Sequence, residues 1–498
     1  MSLDVRYRST RNNGRILKAS QAIIQGLSED GGLFVPDLFP RLEVSPSELA
    51  KMDYKEVAYE VMKLFFTDFT EEELKYCIEH AYDSKFDTEE IAPLTYVDGT
   101  YYLELFHGKT IAFKDMALSI LPYLMTTSAK KNDVREKIII LTATSGDTGK
   151  AALAGFADVE GCGIVVFYPK GGVSKVQERQ MVTQKGKNVK VVGIHGNFDD
   201  AQTGVKKIFS DEEFKAQLKE KGFRFSSANS INIGRLIPQV AYYVFAYSRL
   251  VKEGKISDGD EINFTVPTGN FGNILAGYYA KKIGIPVHKL ICASNENKVL
   301  FDFFESGVYD RNREFILTTS PSMDILISSN LERLIYEISG EDADKCRALM
   351  SSLSGSGRYE ISTEMKEKCK DFVGGFASEE EVLERIHEIY DRTGYVMDTH
   401  TAVASAVSKK YVKNSNDDTT NVVVSTASPY KFTRSVMEAL EGKKEEEDDF
   451  VLIDRLSEMT GMPVPNAVEE IRNAEILHDT VCEKDGMKEE VRKFLEKF

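Results

Sequence analysis

The sequence predicts an α/β protein built on parallel sheets, and three observations carry that expectation. From Lys137 to Ser294, short runs rich in β-branched residues alternate with stretches whose apolar residues recur at helical spacing. The strand-like runs KIIILTAT, GIVVFYP and EINFTVP are apolar nearly throughout, as strands covered on both faces are. Two of them run straight into a turn of small or hydroxyl residues that opens the next helix.

The chain of 498 residues is long enough for two or three domains with sizeable cores. Its first part, residues 1–95, reads as mostly helical. Tyr54, Val57, Ala58, Val61, Met62 and Phe65 recur at spacings of three and four, and Thr70 with Glu73 forms a capping box for a further helix. Between them and the start lies LSEDGGLFVPDLFP, whose paired glycines and two prolines demand irregular backbone. Residues 96–442 form the α/β region, expected to divide into two subdomains. It opens with a hairpin, LTYVDGTYYLELF, turning at Asp98-Gly99. After the stretch around Lys114, MALSILPYLMTTSAKK reads as one helix despite Pro122; a helix carrying Gln239, Tyr243 and Tyr247 follows later, and NVVVSTAS is the last strand. The tail, 443–498, begins with an acidic run and ends in EEVRKFLEKF, expected to be a surface helix.

Composition excludes several classes. With 63 Lys+Arg against 79 Asp+Glu the net charge is −16, which opposes nonspecific nucleic-acid binding. The six cysteines show no CxxC pair and no metal-type spacing with histidine, so a reduced cytoplasmic setting and no metal are expected. The N-terminus has no apolar signal core, and no apolar run reaches membrane-spanning length.

The chemistry centres on Leu105 to Leu118, LFHGKTIAFKDMAL. Lys114 follows the apolar run Ile111, Ala112, Phe113 and precedes a helix, where its amine could be partly dehydrated and therefore nucleophilic near neutral pH. A snorkelling lysine would show the same local sequence. Two turns add to it: Ser145-Gly146-Asp147-Thr148-Gly149 and Gly269-Asn270-Phe271-Gly272-Asn273 both place backbone N–H groups at a helix N-terminus, where an anion is favoured. Either turn alone could equally be a tight connection needing positive φ. Asp147, a carboxylate inside an anion cradle, needs a cation beside it. Ser425-Thr426, at the end of NVVV, offers a hydroxyl at a third strand end, or an ordinary helix cap. A lysine, a phosphate cradle and a hydroxyl at another strand end are the parts required to hold pyridoxal 5'-phosphate.

HGKTIAFKD, TATSGDTGKAA, YPKGGVSKVQERQM, SANSINIGRLIPQ, PTGNFGN and STASPYKF, in this order, resemble the motif series of the threonine synthase family, fold-type II pyridoxal-phosphate enzymes related to tryptophan synthase β. The resemblance implies two three-layer αβα subdomains with parallel sheets. It implies Lys114 as the Schiff-base lysine and the acid/base; Gly269, Asn270, Phe271, Gly272 and Asn273 around the cofactor phosphate; and Thr426 facing the ring nitrogen. Ser145, Gly146, Asp147 and Thr148 would lie by the imine, the ring hydroxyl and the substrate carboxylate. Asn229, Ser230, Asn232 and Arg235, with Lys175 and Arg179, are the candidates for a substrate phosphate, which suits arginine's fork; Arg235 could instead make a structural ion pair.

The activity implied is conversion of O-phospho-L-homoserine and water to L-threonine and phosphate, in a cytoplasmic monomer or homodimer with neither nucleic-acid nor membrane partners. The alternatives are a phospho-lyase releasing a 2-keto acid, ammonia and phosphate, and a noncatalytic pyridoxal-phosphate-binding regulator. Two motifs depart from the family: Lys109 stands where HGPT is common, and Ser428 and Tyr430 replace histidine and alanine of TAHPAKF.

Overall fold

The computed structural model describes residues 4–144 and 146–498. Near the start, β1 (Tyr7–Ser9), β2 (Asn12–Leu17) and β3 (Phe34–Pro36) pair antiparallel in the order β2-β1-β3. This small sheet adds strands to a first part otherwise built of helices: β1 and β3, of three residues each, are too short to show a period-two signal, and β2 opens on Asn12-Asn13-Gly14 with no apolar alternation. The expected helices follow. Tyr54–Phe65 buries all six of its periodic residues, and Thr70 and Glu73 form the capping box of Glu71–Ala81.

The hairpin is β4 (Leu94–Val97) and β5 (Thr100–Glu104), with Asp98 and Gly99 both at positive φ, as a two-residue hairpin turn requires. The expected single helix after Lys114 is two, Asp115–Leu118 and Leu121–Lys131. Pro122 explains the break. Lacking an N–H, it is accommodated in the first turn of a new helix, where that donor would find no partner anyway.

The alternating region builds two sheets. In the first, β6 (Lys137–Ala143), β7 (Cys162–Pro169), β8 (Val189–His195) and β9 (Phe223–Ser226) run parallel. In the second, the hairpin is joined by β10 (Ile262–Pro267) and β11 (Val287–Ser294). A separate ribbon pairs β12 (Val308–Asp310) with β13 (Arg358–Glu360). Then β14 (Phe372–Phe376) and β15 (Thr420–Ser425) complete a six-stranded sheet of order β14-β11-β10-β15-β5-β4, parallel except for the hairpin. Finally β16 (Val481–Glu483) pairs parallel with β8, giving the order β16-β8-β7-β6-β9.

Both sheets are covered on both faces. Along β6, Ile138 and Ile140 join the main core while Ile139 and Leu141 join a smaller cluster with Val205, Ile208, Val491 and Phe494. The last helix, Met487–Leu495, therefore does not ride on the surface as expected, because Met487, Val491, Phe494 and Leu495 are its buried face. The helix Ile233–Lys252 packs against Tyr54–Phe65 and Gly272–Ile283, buried from Ile233 to Leu250 and apolar around most of its circumference, as a core helix must be. The carboxyl ends of β6, β10 and β15 feed the turns singled out above, at the edge where open α/β sheets bind ligands.

Candidate active site

Lys114 is positioned by a turn that the residues around it build. Asp115 accepts hydrogen bonds from the Thr110 N–H and hydroxyl, both at 2.7 Å, and so closes the 108–115 loop on itself. Gly108 is required there, since a Cβ would come within 2.5 Å of the Asp115 carboxylate. Ile111 sits in the left-handed region at φ 51°, a strain of about 1 to 3 kcal/mol for a β-branched residue that the surrounding packing must hold. The loop then lies along the end of β15. The Phe113 N–H donates to the Thr426 carbonyl at 2.8 Å, the Ser428 N–H donates to Ile111, and Ala112 bridges Ala427. Thr426 is thereby fixed beside Lys114.

The Lys114 amine lies 3.4 Å from Asp147 Oδ2 and 3.3 Å from the Ser322 hydroxyl, with its side chain 12% exposed. Burial lowers its proton affinity, and the Asp147 carboxylate partly restores it. Asp147 opens the helix Asp147–Phe156. Gly146 precedes it at φ 135°, and a Cβ at Gly146 would collide with Gln177, whose amide donates to Asp147 Oδ1 at 2.9 Å. Thr144 Oγ1 accepts from the N–H groups of Gly146 and Gly149 and pins the turn. Burial pushes the Asp147 carboxyl up, but Lys431 and Lys114, with hydrogen bonds from Gln177 and Ser322, more than reverse this and hold it well below the usual carboxylate range. Thr148 is half-buried beside it; Ser145 lies outside the described residues.

The glycine turn after β10 is the second wall. Phe271 adopts the left-handed φ of 64° to start the helix Gly272–Ile283, and Gly269 is packed so closely that a Cβ would meet the Ser322 carbonyl at 2.9 Å. Ser328 Oγ donates to the Gly269 carbonyl, and Asn330 Nδ2 to that of Asn270. Asn273 accepts from the hydroxyls of Tyr242 and Tyr243 at 2.6 and 2.7 Å through its oxygen, while its buried Nδ2 has no partner among the described residues. An oriented amide donor at a helix N-terminus suits a phosphate.

The candidates for a second anion separate. Arg235 is buried, with one hydrogen bond, to the Ala228 carbonyl at 3.0 Å, an unpartnered Nε, and no carboxylate within ion-pair distance among the described residues. Burial brings its proton affinity down to about 10, and its charge is felt at Lys114. Asn232 is the cap of the central helix, accepting from the Gly234 N–H and donating to the Ile23 carbonyl. Ser230 is half-buried and Asn229 exposed. Lys175 and Arg179 are engaged elsewhere. The Lys175 amine, on a side chain 70% exposed, pairs with Asp448, and Arg179 donates to the carbonyls of Ile471 and Ala474, fastening the C-terminal segment to the helix Lys175–Val182. Lys175 begins the helix Lys175–Val182 and Arg179 lies in its last turn, and the tail packs against both, which the motif alone does not reveal.

Four further side chains meet at the centre: Gln177, Lys431, Ser322 and His400. Gln177 and Lys431 lie inside motifs already quoted, and Lys431, flanked by Pro429, Tyr430 and Phe432, repeats the lysine-among-apolar signal of Lys114. Ser322 has no sequence signal, since only the 3₁₀ turn Pro321–Met323 brings it in. His400 holds that turn: its Nε2 accepts from the Ser322 N–H at 3.1 Å, so its Nδ1 carries the proton and donates to Asp398 at 2.8 Å. Of the two motif departures, Lys109 is exposed, and Ser428 Oγ caps the turn Pro429–Lys431 by accepting from the Tyr430 N–H.

One neighbour gives a direct test of this electrostatic picture. Lys150 is buried with Gln184 Oε1 as its hydrogen-bond partner, and burial, with repulsion from Lys431, brings its proton affinity down to about 7. The unfolded chain binds that proton up to about pH 10 whereas the folded chain releases it near 7, so folded-state stability rises with pH across that window. Chemical denaturation of the wild type and Lys150→Met is expected to show the wild type losing about 1 kcal/mol or more relative to the variant between pH 9 and pH 7. A pH-independent difference would place the ammonium in a charged, compensated site.

The buried amine and its carboxylate partner lie where parallel strands open into helices, and the two sheets have the architecture of fold-type II, tryptophan synthase β-like pyridoxal-phosphate enzymes. A family model described as pyridoxal-phosphate dependent enzyme matches residues 99–427, one for the threonine synthase N terminus matches 6–82, and one for the threonine synthase C-terminal region matches 401–481. The chain belongs to the threonine synthase family. It is 36% identical to threonine synthase of Saccharomyces cerevisiae over 88% of this chain and 89% of that one. It is 39% identical to human threonine synthase-like 1 over 94% of its own length, but spans only 64% of that relative. Crystal structures of threonine synthase from yeast and of pyridoxal-phosphate-bound threonine synthase from Brucella melitensis superpose with TM-scores of 0.88 and 0.87, at 33% and 34% identity, covering 98% or more of each chain. Among the described residues no helix is long and apolar enough to cross a membrane.

Proposed function

We propose that the protein converts O-phospho-L-homoserine and water to L-threonine and phosphate, acting in the cytoplasm as a monomer or homodimer. The observation that carries this reading is Arg235, a buried guanidinium with no carboxylate partner among the described residues, whose charge reaches Lys114. A buried cation without a counter-ion is costly, and a substrate anion that binds there recovers that cost.

In this reading Gly269, Asn270, Phe271, Gly272 and Asn273 hold the cofactor phosphate, and Thr426 faces the ring nitrogen. Pyridoxal phosphate, when bound, supplies the electron sink that acidifies the substrate hydrogens next to the amino group. The residues of this chain do the rest. Lys114, its amine less readily protonated through burial, takes the proton from Cα and moves protons at Cβ and Cγ as the phosphate leaves Cγ and water adds at Cβ. Asp147, kept ionised, orients the amine, while the N–H groups of the Gly146–Thr148 turn receive the substrate carboxylate. Arg235, with Asn229 and Ser230 at the mouth, holds the leaving phosphate, and Ser322 over Lys114 helps to exclude bulk water.

A lyase would let the substrate skeleton escape once phosphate has left, so the product distribution decides between the two chemistries. Incubation with O-phosphohomoserine in heavy-oxygen water is expected to yield phosphate and threonine in equal amounts, with label in the threonine hydroxyl and little 2-oxobutanoate. Phosphate accompanied mainly by 2-oxobutanoate would overturn the synthase reading.

A further inference from the structure

Asp147 is shared between two lysines, one on each carboxylate oxygen. Oδ2 faces the Lys114 amine at 3.4 Å and accepts from Ser322 at 2.8 Å; Oδ1 faces the Lys431 amine at 3.3 Å and accepts from Gln177 at 2.9 Å. The Lys431 side chain is 0% exposed, and its amine also donates to the Thr110 carbonyl and to Gln180 Oε1, each at 3.0 Å. Three acceptors at similar distance fix the ammonium between the Lys114 loop and the helix Lys175–Val182, with no room for it to reach solvent. The other charged or titratable groups close to this trio are Asp115, held by Thr110, Lys150, Arg235, and His400, which meets Ser322 through its backbone.

A reactive amine must spend part of its time without a proton. If Asp147 had Lys114 as its one cationic partner, each deprotonation would strand a buried carboxylate, an outcome that costs several kcal/mol in a low-dielectric site. With Lys431 on the far oxygen, the carboxylate keeps a counter-ion whatever Lys114 does.

We propose that Lys431 is a positioning residue that neutralises Asp147 from the side away from Lys114, leaving Lys114 free to exist as the neutral amine. The arrangement divides two duties that a single lysine could not perform together: Lys431, seated on three acceptors, serves as the counter-ion, and Lys114 gives up its proton. Burial and the adjacent Lys431 charge act in the same sense on the Lys114 amine, lowering its hold on the proton. This inference rests on Lys114 being the reactive amine of the proposed chemistry.

The test uses the full-length chain freed of cofactor with hydroxylamine. The pH midpoint for trace acetylation of Lys114, read on its own peptide by mass spectrometry, reports the proton affinity of that amine, and the rate at which added pyridoxal phosphate is captured reports its consequence. Lys431→Met is expected to raise the Lys114 midpoint by about one pH unit or more and to slow capture at pH 7 about tenfold, with the rate recovered at higher pH. Lys431→Arg, which keeps the charge, should stay near the wild type. If Lys431→Met does not fold, Lys431→Gln removes the charge while retaining donors for Thr110 and Gln180, and the same rise is expected. A folded, charge-free variant whose Lys114 midpoint is unchanged or lowered would overturn the proposal, because a purely structural lysine alters stability without moving that midpoint. Since acetylation is read without cofactor, its outcome is separate from whether borohydride later fixes the cofactor on Lys114.

Discussion

Replacing Lys114 with alanine is expected to remove the visible absorption band that borohydride fixes to the protein, and to lower turnover of O-phosphohomoserine by at least about a thousandfold. A single positioned acid/base typically contributes about 10² to 10⁴ in rate, and in the proposed reaction one amine would serve three carbon atoms in turn. Asp147, Ser322, Thr426 and the 108–115 loop are held by hydrogen bonds that do not run through the Lys114 side chain, so the variant should fold with an unchanged melting profile. Reduction of the wild-type holoenzyme followed by peptide mapping should place the reduced cofactor on Lys114. Mapping to Lys150 or Lys431 instead would reassign the site.

Arg235→Ala should leave cofactor content intact and damage use of the phosphorylated substrate. Loss of a buried, charge-assisted contact costs about 2 to 5 kcal/mol, which corresponds to roughly 30- to 5,000-fold in kcat/KM. The structural alternative predicts something else. Arg235 donates to the Ala228 carbonyl, so a purely architectural role would appear as a lowered melting temperature with KM and kcat close to the wild type. Arg235→Lys separates charge from geometry: it retains the cation but loses the planar fork, and partial recovery is expected.

The architecture was legible where the sequence carried period or punctuation. The apolar runs of β6, β7, β10 and β15 and the amphipathic Tyr54–Phe65 were marked by burial that repeats along the element, and Asp98-Gly99 by the positive φ that its turn needs. Strands of three residues gave no such signal, so β1, β3 and β16 became visible only through their pairing. The centre of the site divides similarly. Lys114, Asp147 and the 269–273 turn lie in local patterns whose chemistry the residue types announce. Ser322 and His400 do not, because their roles depend on a 3₁₀ turn and a helix 78 residues apart meeting over Lys114. Lys175 and Arg179 illustrate the converse: their motif places them near the right helix, but only the tail's position decides that they face Asp448 and the carbonyls of Ile471 and Ala474 rather than the cleft.

The pairing of β16 with β8 bears on how the molecule is made. Residues 481–483 are synthesised about three hundred positions after the strand they cover. Domains otherwise form as the chain emerges, N-terminal parts first. Without that segment Val189–His195 would be an open sheet border, and its alternate apolar residues would lack the cover that Met487, Val491 and Phe494 provide. An uncovered parallel border with apolar faces is a template for pairing with another chain. The C-terminal segment thus caps that border, and a chain cut before Val481 is expected to self-associate through Val189–His195, which size-exclusion chromatography of the truncated protein would read.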